Sequence, residues 1–391
     1  MTRTEVVGVD DLRRLFLLRD DVVFLNHGSF GACPRPVFDR WQELQRELEA
    51  EPVDFLSLRR TLPDRLAAAR AGLADFLGAD RDEIVFVPNA TTGLNTVARS
   101  LALDPGDEIL STDHEYGALD RMWRFLCTKQ QARYVRRALP MPLDDSDAVV
   151  EAIWSGVTDH TRVLFLSQIT SASGVILPVE PLIKRARERG ILTMIDGAHV
   201  PGQLDVDLHA LGCDFWAGNC HKWLMAPKGA AALYVRRDLQ DLVEPLIVSW
   251  GWESGWPGPS PFVDRLEWTG TRDFCAYLAV PAALEFFGEH DWRAVRTRCH
   301  DLLLEVRRRI LALSGLEPLC APEPWLAQMA ALPLPPGTDG DALHQSLRHD
   351  HGIEIPVTTC AGRPWLRVSI QGYNTAADGD RLVEALEEIW P

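Results

Sequence analysis

Two stretches decide the fold: Ile191-Leu-Thr-Met-Ile-Asp196-Gly-Ala-His199, and Asp214-Phe-Trp-Ala-Gly218-Asn219-Cys-His221-Lys222-Trp223. The first reads as an apolar strand, Ile191 to Ile195, ending in a carboxylate. The second reads as a short apolar strand, Asp214 to Ala217, followed by small and polar residues and then one lysine. In an open α/β sheet, residues at the carboxyl ends of neighbouring strands converge on one crevice. Taken singly, each residue has an ordinary reading: a strand-end Asp caps a helix, and a Lys is a solvated surface charge. Together, in this order and flanked by His199 and His221, they read as one site.

Moving outward, apolar runs alternate with helical periods. Strands are expected at 84–87, 108–111, 133–135, 163–166, 191–195, 214–217 and 230–235. Helices are expected at 59–77, 93–103, 116–127, 146–154 and 179–189. That alternation implies βαβ units and a mainly parallel sheet flanked by helices. From about residue 275 the texture changes to long helical stretches (276–287, 292–313, 340–347, 376–389), with strands expected at 353–355 and 365–370. The expected organisation is an α/β large domain over 20–274 and a smaller α+β domain from 1–19 and 275–391.

Composition narrows the function. The chain has 391 residues, 46% of them hydrophobic and 25% charged, which is ordinary for a globular protein. A net charge of −16 leaves no basic excess to neutralise phosphates, so nucleic acid and anionic membranes are not expected partners. Met1-Thr-Arg-Thr-Glu5 has no apolar run behind it, so no secretory leader is expected. No stretch approaches the ~18 apolar residues of a membrane helix. Eight scattered cysteines with no C-x-x-C pair suggest reduced thiols and a cytoplasmic protein. His349 and His351 lack the spacing of a metal site, and none is expected.

The chemistry follows from the paired Asp and Lys. Pyridoxal phosphate needs a Schiff-base lysine and an acidic partner for its pyridinium nitrogen. At Pro88-Asn89-Ala90-Thr91-Thr92-Gly93-Leu94-Asn95 an apolar strand runs into small polar residues that open a helix. Free backbone N–H groups and the helix dipole make such a corner a phosphate cradle. Taken alone it is only a capped helix start. It lacks G-x-G-x-x-G and G-K-[ST], which argues against a nucleotide site.

With Phe24-Leu-Asn-His-Gly-Ser-Phe-Gly31, Glu51-Pro-Val-Asp-Phe55 and Arg367-Val-Ser-Ile-Gln-Gly-Tyr-Asn374, these motifs span nearly the whole chain. The chain resembles the class V aminotransferase family of pyridoxal-phosphate enzymes (fold type I), which includes the cysteine desulfurases. It looks most like the isopenicillin N epimerase-like branch. The resemblance implies that Lys222 is the Schiff-base lysine and Asp196 the partner of the pyridinium nitrogen. It implies His199 near the cofactor's 3′ oxygen, and Ala90, Thr91, Asn219 and His221 at the phosphate, with Thr92 an additional candidate. Tyr116 stands where the desulfurases stack a histidine on the ring. Thr271 is similar to a threonine that reaches the phosphate of the neighbouring subunit, so the expected form is a homodimer with shared active sites. Arg367 matches the arginine that binds the substrate α-carboxylate, with His27 and Ser171 as further substrate contacts. An interdomain ion pair is the ordinary alternative for Arg367.

The candidate reactions share Cα–H removal by Lys222 and then diverge. Elimination needs only that lysine and a leaving group, whereas epimerisation gains from a second acid, for which His27 and Tyr116 are candidates. The expectation is a C–S lyase acting on an S-substituted cysteine, with an epimerase as the alternative. Transamination, desulfuration and a non-catalytic binding protein stand behind both. Cys360, only six residues from Arg367, sits on too short a loop to serve as a mobile sulfur acceptor. Trp250, Trp252 and Trp256, in a Gly/Pro-rich loop, suggest either an aromatic pocket or a dimer seam.

Overall fold

The computed structural model describes residues 9–360 and 362–390; the N-terminal residues read above for a leader lie outside that range. In chain order the strands are β1 (Val23–Phe24), β2 (Ile84–Val87), β3 (Glu108–Thr112), β4 (Arg133–Arg137), β5 (Thr161–Ser167), β6 (Leu192–Asp196), β7 (Phe215–Asn219), β8 (Ala231–Val235), β9 (Met329–Pro333), β10 (Ile353–Glu354), β11 (Val357–Cys360) and β12 (Arg363–Ser369). Seven of them form one sheet in the order β2-β8-β7-β6-β5-β3-β4. Strands β3 to β7 pair in parallel, and β8 runs antiparallel to both β2 and β7.

Side chains on a strand alternate between faces, and the packing follows. Val85, Val163, Met194, Phe215 and Leu233 pack on one side with Leu94 and Val97 of helix Ala90–Ser100 and with Trp123 of helix Gly117–Gln130. Phe86, Leu164, Ile195, Trp216 and Tyr234 pack on the other, with Leu66 and Leu73 of helix Leu62–Leu77 and Leu182 of helix Val179–Glu188. Each fully buried Leu or Phe contributes roughly 1.5–3 kcal/mol, enough in sum to hold polar strand ends out of bulk water. The Trp216 ring occupies space that two glycines leave open. A Cβ on Gly197 or Gly218 would lie 2.1 Å from it.

The C-terminal part is an antiparallel sheet ordered β11-β12-β9; helix Trp292–Ser314 packs on β9, and helix Ala376–Ile389 packs on that helix. A reciprocal Thr375–Asp378 capping box starts the last helix. Strand β1 pairs with β10, and Asn26 bridges to Ser369, so residues 23–26 lie along this part of the molecule. The helix expected at 276–287 is two pieces, Cys275–Leu278 and Val280–Glu289, the second opening with Pro281 in its first turn. The segment read as a loop around Cys360 is strand β11, where Cys360 faces Arg363 and is buried.

Candidate active site

The parallel strands deliver their carboxyl ends to one edge of the sheet. Asp196 closes β6, Asn219 closes β7 three residues before Lys222, and Ser167 closes β5. Asp196 is buried, and its Oδ1 accepts the Ala198 N–H at 2.8 Å. Lys222 Nζ lies 3.1 Å from His199 Nε2, and His199 Nδ1 accepts the Trp223 indole N–H at 3.2 Å. Loss of hydration, and next the nearby Arg367 charge, lower the Lys222 pKa. Loss of hydration raises that of Asp196, against the Ala198 N–H and the Lys222 charge. A neutral amine is the nucleophilic and basic form of lysine, so the shift is in the direction a Schiff-base lysine needs.

Arg367, in the middle of β12, is 3% exposed. Its Nη1 donates to the Ser171 carbonyl at 2.6 Å; its Nη2 reaches Ser29 Oγ at 2.8 Å and Asn26 Oδ1 at 3.3 Å. Its Nε is buried with no partner. Among the described residues neither Arg367 nor Lys222 has a carboxylate at ion-pair distance, so the ordinary reading of Arg367 as an interdomain ion pair fails. Burial lowers the Arg367 pKa to about 10. Buried charges are normally paired, so the Arg367 guanidinium, without a carboxylate at ion-pair distance among the described residues, fits a ligand that brings its own negative charge. Ser171, expected as a substrate contact, acts here through its backbone carbonyl by holding the guanidinium.

At the phosphate corner, helix Ala90–Ser100 is capped by Asn89, whose Oδ1 takes both the N–H and the hydroxyl of Thr92. Ala90 N–H is held by Asn219 Oδ1 at 2.8 Å. Thr92 and Ala90 are thus committed within the protein, and Thr91 is the first-turn residue left to meet a ligand. His221 Nδ1 lies 3.2 Å from the Ala230 carbonyl, and burial lowers its pKa to about 4. Tyr116, at the start of helix Gly117–Gln130, is 42% exposed, and its hydroxyl lies within electrostatic reach of Arg367. Thr271 is exposed on the loop before helix Cys275–Leu278.

His27 is fully buried, and both ring nitrogens are engaged: Nδ1 with Tyr373 Oη at 2.9 Å and Nε2 with the Lys222 carbonyl at 3.0 Å. The expected substrate contact is therefore a brace beneath the lysine's backbone. Gly31 works in the same place. Its φ is +72°, and an added Cβ would lie 2.1 Å from the His221 carbonyl oxygen and 3.0 Å from Lys222 Cα. Gly31→Ala should cost about 1–3 kcal/mol of stability and displace the lysine. The check is a lowered melting temperature together with weaker cofactor absorbance; a normal value of both would show the loop to be slack.

Trp256 and its neighbours line a cavity of about 460 Å³ with Arg59, Asp64, Arg70 and Glu267, whose lining includes neither Lys222 nor Asp196. Three groups escaped the reading of the sequence. Asn26 and Ser29 hold Arg367, and Glu115 lies beside Asp196 with its carboxylate on Ser167 and Thr112. Loss of hydration is the main cause that pushes Glu115 up to about 7. The Ser167 N–H and hydroxyl and the Thr112 hydroxyl oppose that rise, because donors favour the ionised carboxylate. A motif reading passes over them because each acts through contacts distant in sequence.

A strand-end lysine beside a buried carboxylate, at the carboxyl edge of a mainly parallel sheet, defines a pyridoxal 5′-phosphate enzyme of fold type I. Residues 23–382 match the family described as Aminotransferase class-V, and the chain belongs to that family. It is 41% identical over 381 residues to the isopenicillin N epimerase of Amycolatopsis lactamdurans, covering 94% of this chain and 95% of that one. It is 28% identical over 415 residues to an L-cysteine desulfhydrase of Arabidopsis thaliana, covering 94% and 88%. The fold superimposes on the cysteine desulfurase CsdA of Escherichia coli with a TM-score of 0.83, at 24% identity and 98% coverage of both chains.

Proposed function

We propose that the enzyme removes the Cα proton of an amino acid with Lys222 and expels a sulfur substituent from Cβ of an S-substituted cysteine. The single observation that supports this is the buried cluster of Lys222, Asp196 and Arg367, in which the lysine lies within electrostatic reach of both the carboxylate and a guanidinium that has no carboxylate at ion-pair distance among the described residues. When bound, pyridoxal phosphate supplies the electron sink that makes a Cα–H bond acidic. Asp196 would pair with the ring nitrogen, and His199 would face the 3′ oxygen. Thr91 N–H and Asn219 would hold the phosphate at the helix N-terminus, joined by His221 if its Ala230 bond is released. Arg367 takes the α-carboxylate and so orients the Cα–H bond. Lys222 Nζ accepts that proton, the Cβ–S bond breaks, the thiolate leaves, and hydrolysis of the remainder yields pyruvate and ammonia.

His27 has no free nitrogen, and elimination asks for no base beyond Lys222. The second reading, inversion at Cα, is favoured by the 41% identity to an isopenicillin N epimerase and by Tyr116, half-exposed beside Arg367. One experiment separates them. Pyruvate and ammonia from a panel of cysteine conjugates support elimination. Incorporation of solvent deuterium with inversion, from an amino acid lacking a β-leaving group, supports epimerisation.

The proposed form is a homodimer in a cytoplasmic setting. Leu246, Ile247, Val248, Trp250, Trp252 and Trp256 are all exposed, and a contiguous apolar strip of this kind marks an interaction surface. Thr271, which follows it, is proposed to bond the partner's cofactor phosphate. One such bond to a charged group is worth about 1.5–3 kcal/mol, so Thr271→Val should raise the cofactor's dissociation constant about 10- to 150-fold. A sedimenting monomer that binds cofactor undiminished would refute the shared site.

A further inference from the structure

We infer that Trp223 is a positioning residue: its indole N–H fixes the tautomer of His199, so that His199 offers Lys222 a donor that only an uncharged amine can accept. The argument is one of proton counting. An indole nitrogen only donates, so with Trp223 Nε1 3.2 Å from His199 Nδ1, that nitrogen must carry a lone pair. The neutral imidazole then bears its proton on Nε2, 3.1 Å from Lys222 Nζ. A protonated Nζ has three donors and no acceptor, so it would face a hydrogen with a hydrogen. The Trp223 bond and a charged Lys222 therefore exclude each other.

The arrangement is rigid. Trp223 and His199 are 0% and 1% exposed, and the indole packs against the His27 ring at 4.9 Å between centroids. The charged and titratable groups around His199 and Lys222 are Arg367, His221 and His27, which disfavour a proton here, and Asp196, which favours one. Burial also keeps His199 neutral. The consequence for catalysis rests on Lys222 being the Schiff-base lysine; the tautomer itself does not.

The test uses the full chain labelled with ¹⁵N-histidine, with His199 assigned by difference against His199→Gln. Unprotonated Nδ1 and protonated Nε2 in the wild type are expected; a proton on Nδ1 overturns the inference without any variant of Trp223. Trp223→Phe keeps the aromatic packing and removes the donor. A mixed His199 tautomer is expected, with an upward shift in the pH at which cofactor-stripped protein takes up pyridoxal phosphate. The loss of one hydrogen bond corresponds to roughly a tenfold smaller neutral fraction of Lys222 at pH 7. An unchanged tautomer and an unchanged uptake profile in Trp223→Phe overturn the positioning role. Uptake on another lysine, with the tautomer as stated, would instead remove Lys222 from its proposed function and leave the tautomer lock standing.

Discussion

Lys222→Ala is expected to abolish borohydride-trapped pyridoxyl labelling at residue 222 and to slow Cα-proton removal by about 10²- to 10⁴-fold, the usual contribution of a positioned general base. The fold should survive, because the chain around residue 222 is held by His27 on its carbonyl and by Gly31 against its Cα, not by the side-chain amine. The pH dependence has a definite sign. Lost hydration and the Arg367 charge favour the neutral amine, so the base persists below the ordinary lysine range. The rate should fall as pH drops through the lowered Lys222 value. Peptide mapping after reduction decides the assignment, and a label on Lys228 instead would overturn it.

Arg367→Ala is expected to weaken amino-acid binding roughly 30- to 1000-fold, the equivalent of about 2–4 kcal/mol for a charge-assisted, two-pronged contact. Cofactor affinity should change far less. Arg367→Lys should recover little, because a point charge on a flexible stem cannot reproduce the planar fork that Ser171, Asn26 and Ser29 hold in place. Titration of the cofactor absorbance with amino acid reads both affinities. Equal losses would make Arg367 a structural residue.

The sheet was legible in the sequence because its strands are short apolar runs bounded by polar ends. Strand Ile84–Val87 and helices Ser146–Trp154 and Ala376–Ile389 fall where periodicity puts them. Helix Arg35–Ala50 was not expected, since only Val37, Leu44 and Leu48 of its sixteen residues are buried and its apolar stripe is thin. Strand β11 was missed because Val-Thr-Thr-Cys alternates weakly and gains its pairing from β12. In the site, Asp196 and Lys222 announce themselves by ending strands. His27 did not: its family-like motif gives no hint that its nitrogens face Tyr373 and a backbone carbonyl. The tryptophan segment left an aromatic pocket and a dimer seam both open, since composition gives aromatic character but not which side of the molecule receives it.

The indole of Trp216, lying where Gly197 and Gly218 have no side chains, ties two positions of β7 and the residue just after β6 into one heritable unit. A methyl group at either glycine would collide with the ring, and a smaller residue at 216 would leave a void beside both glycines. Descendants of this sequence can explore substitutions at 197, 216 and 218 only in concert. The bed beneath the active site should therefore drift more slowly, and in correlated steps, than the surface loops around it.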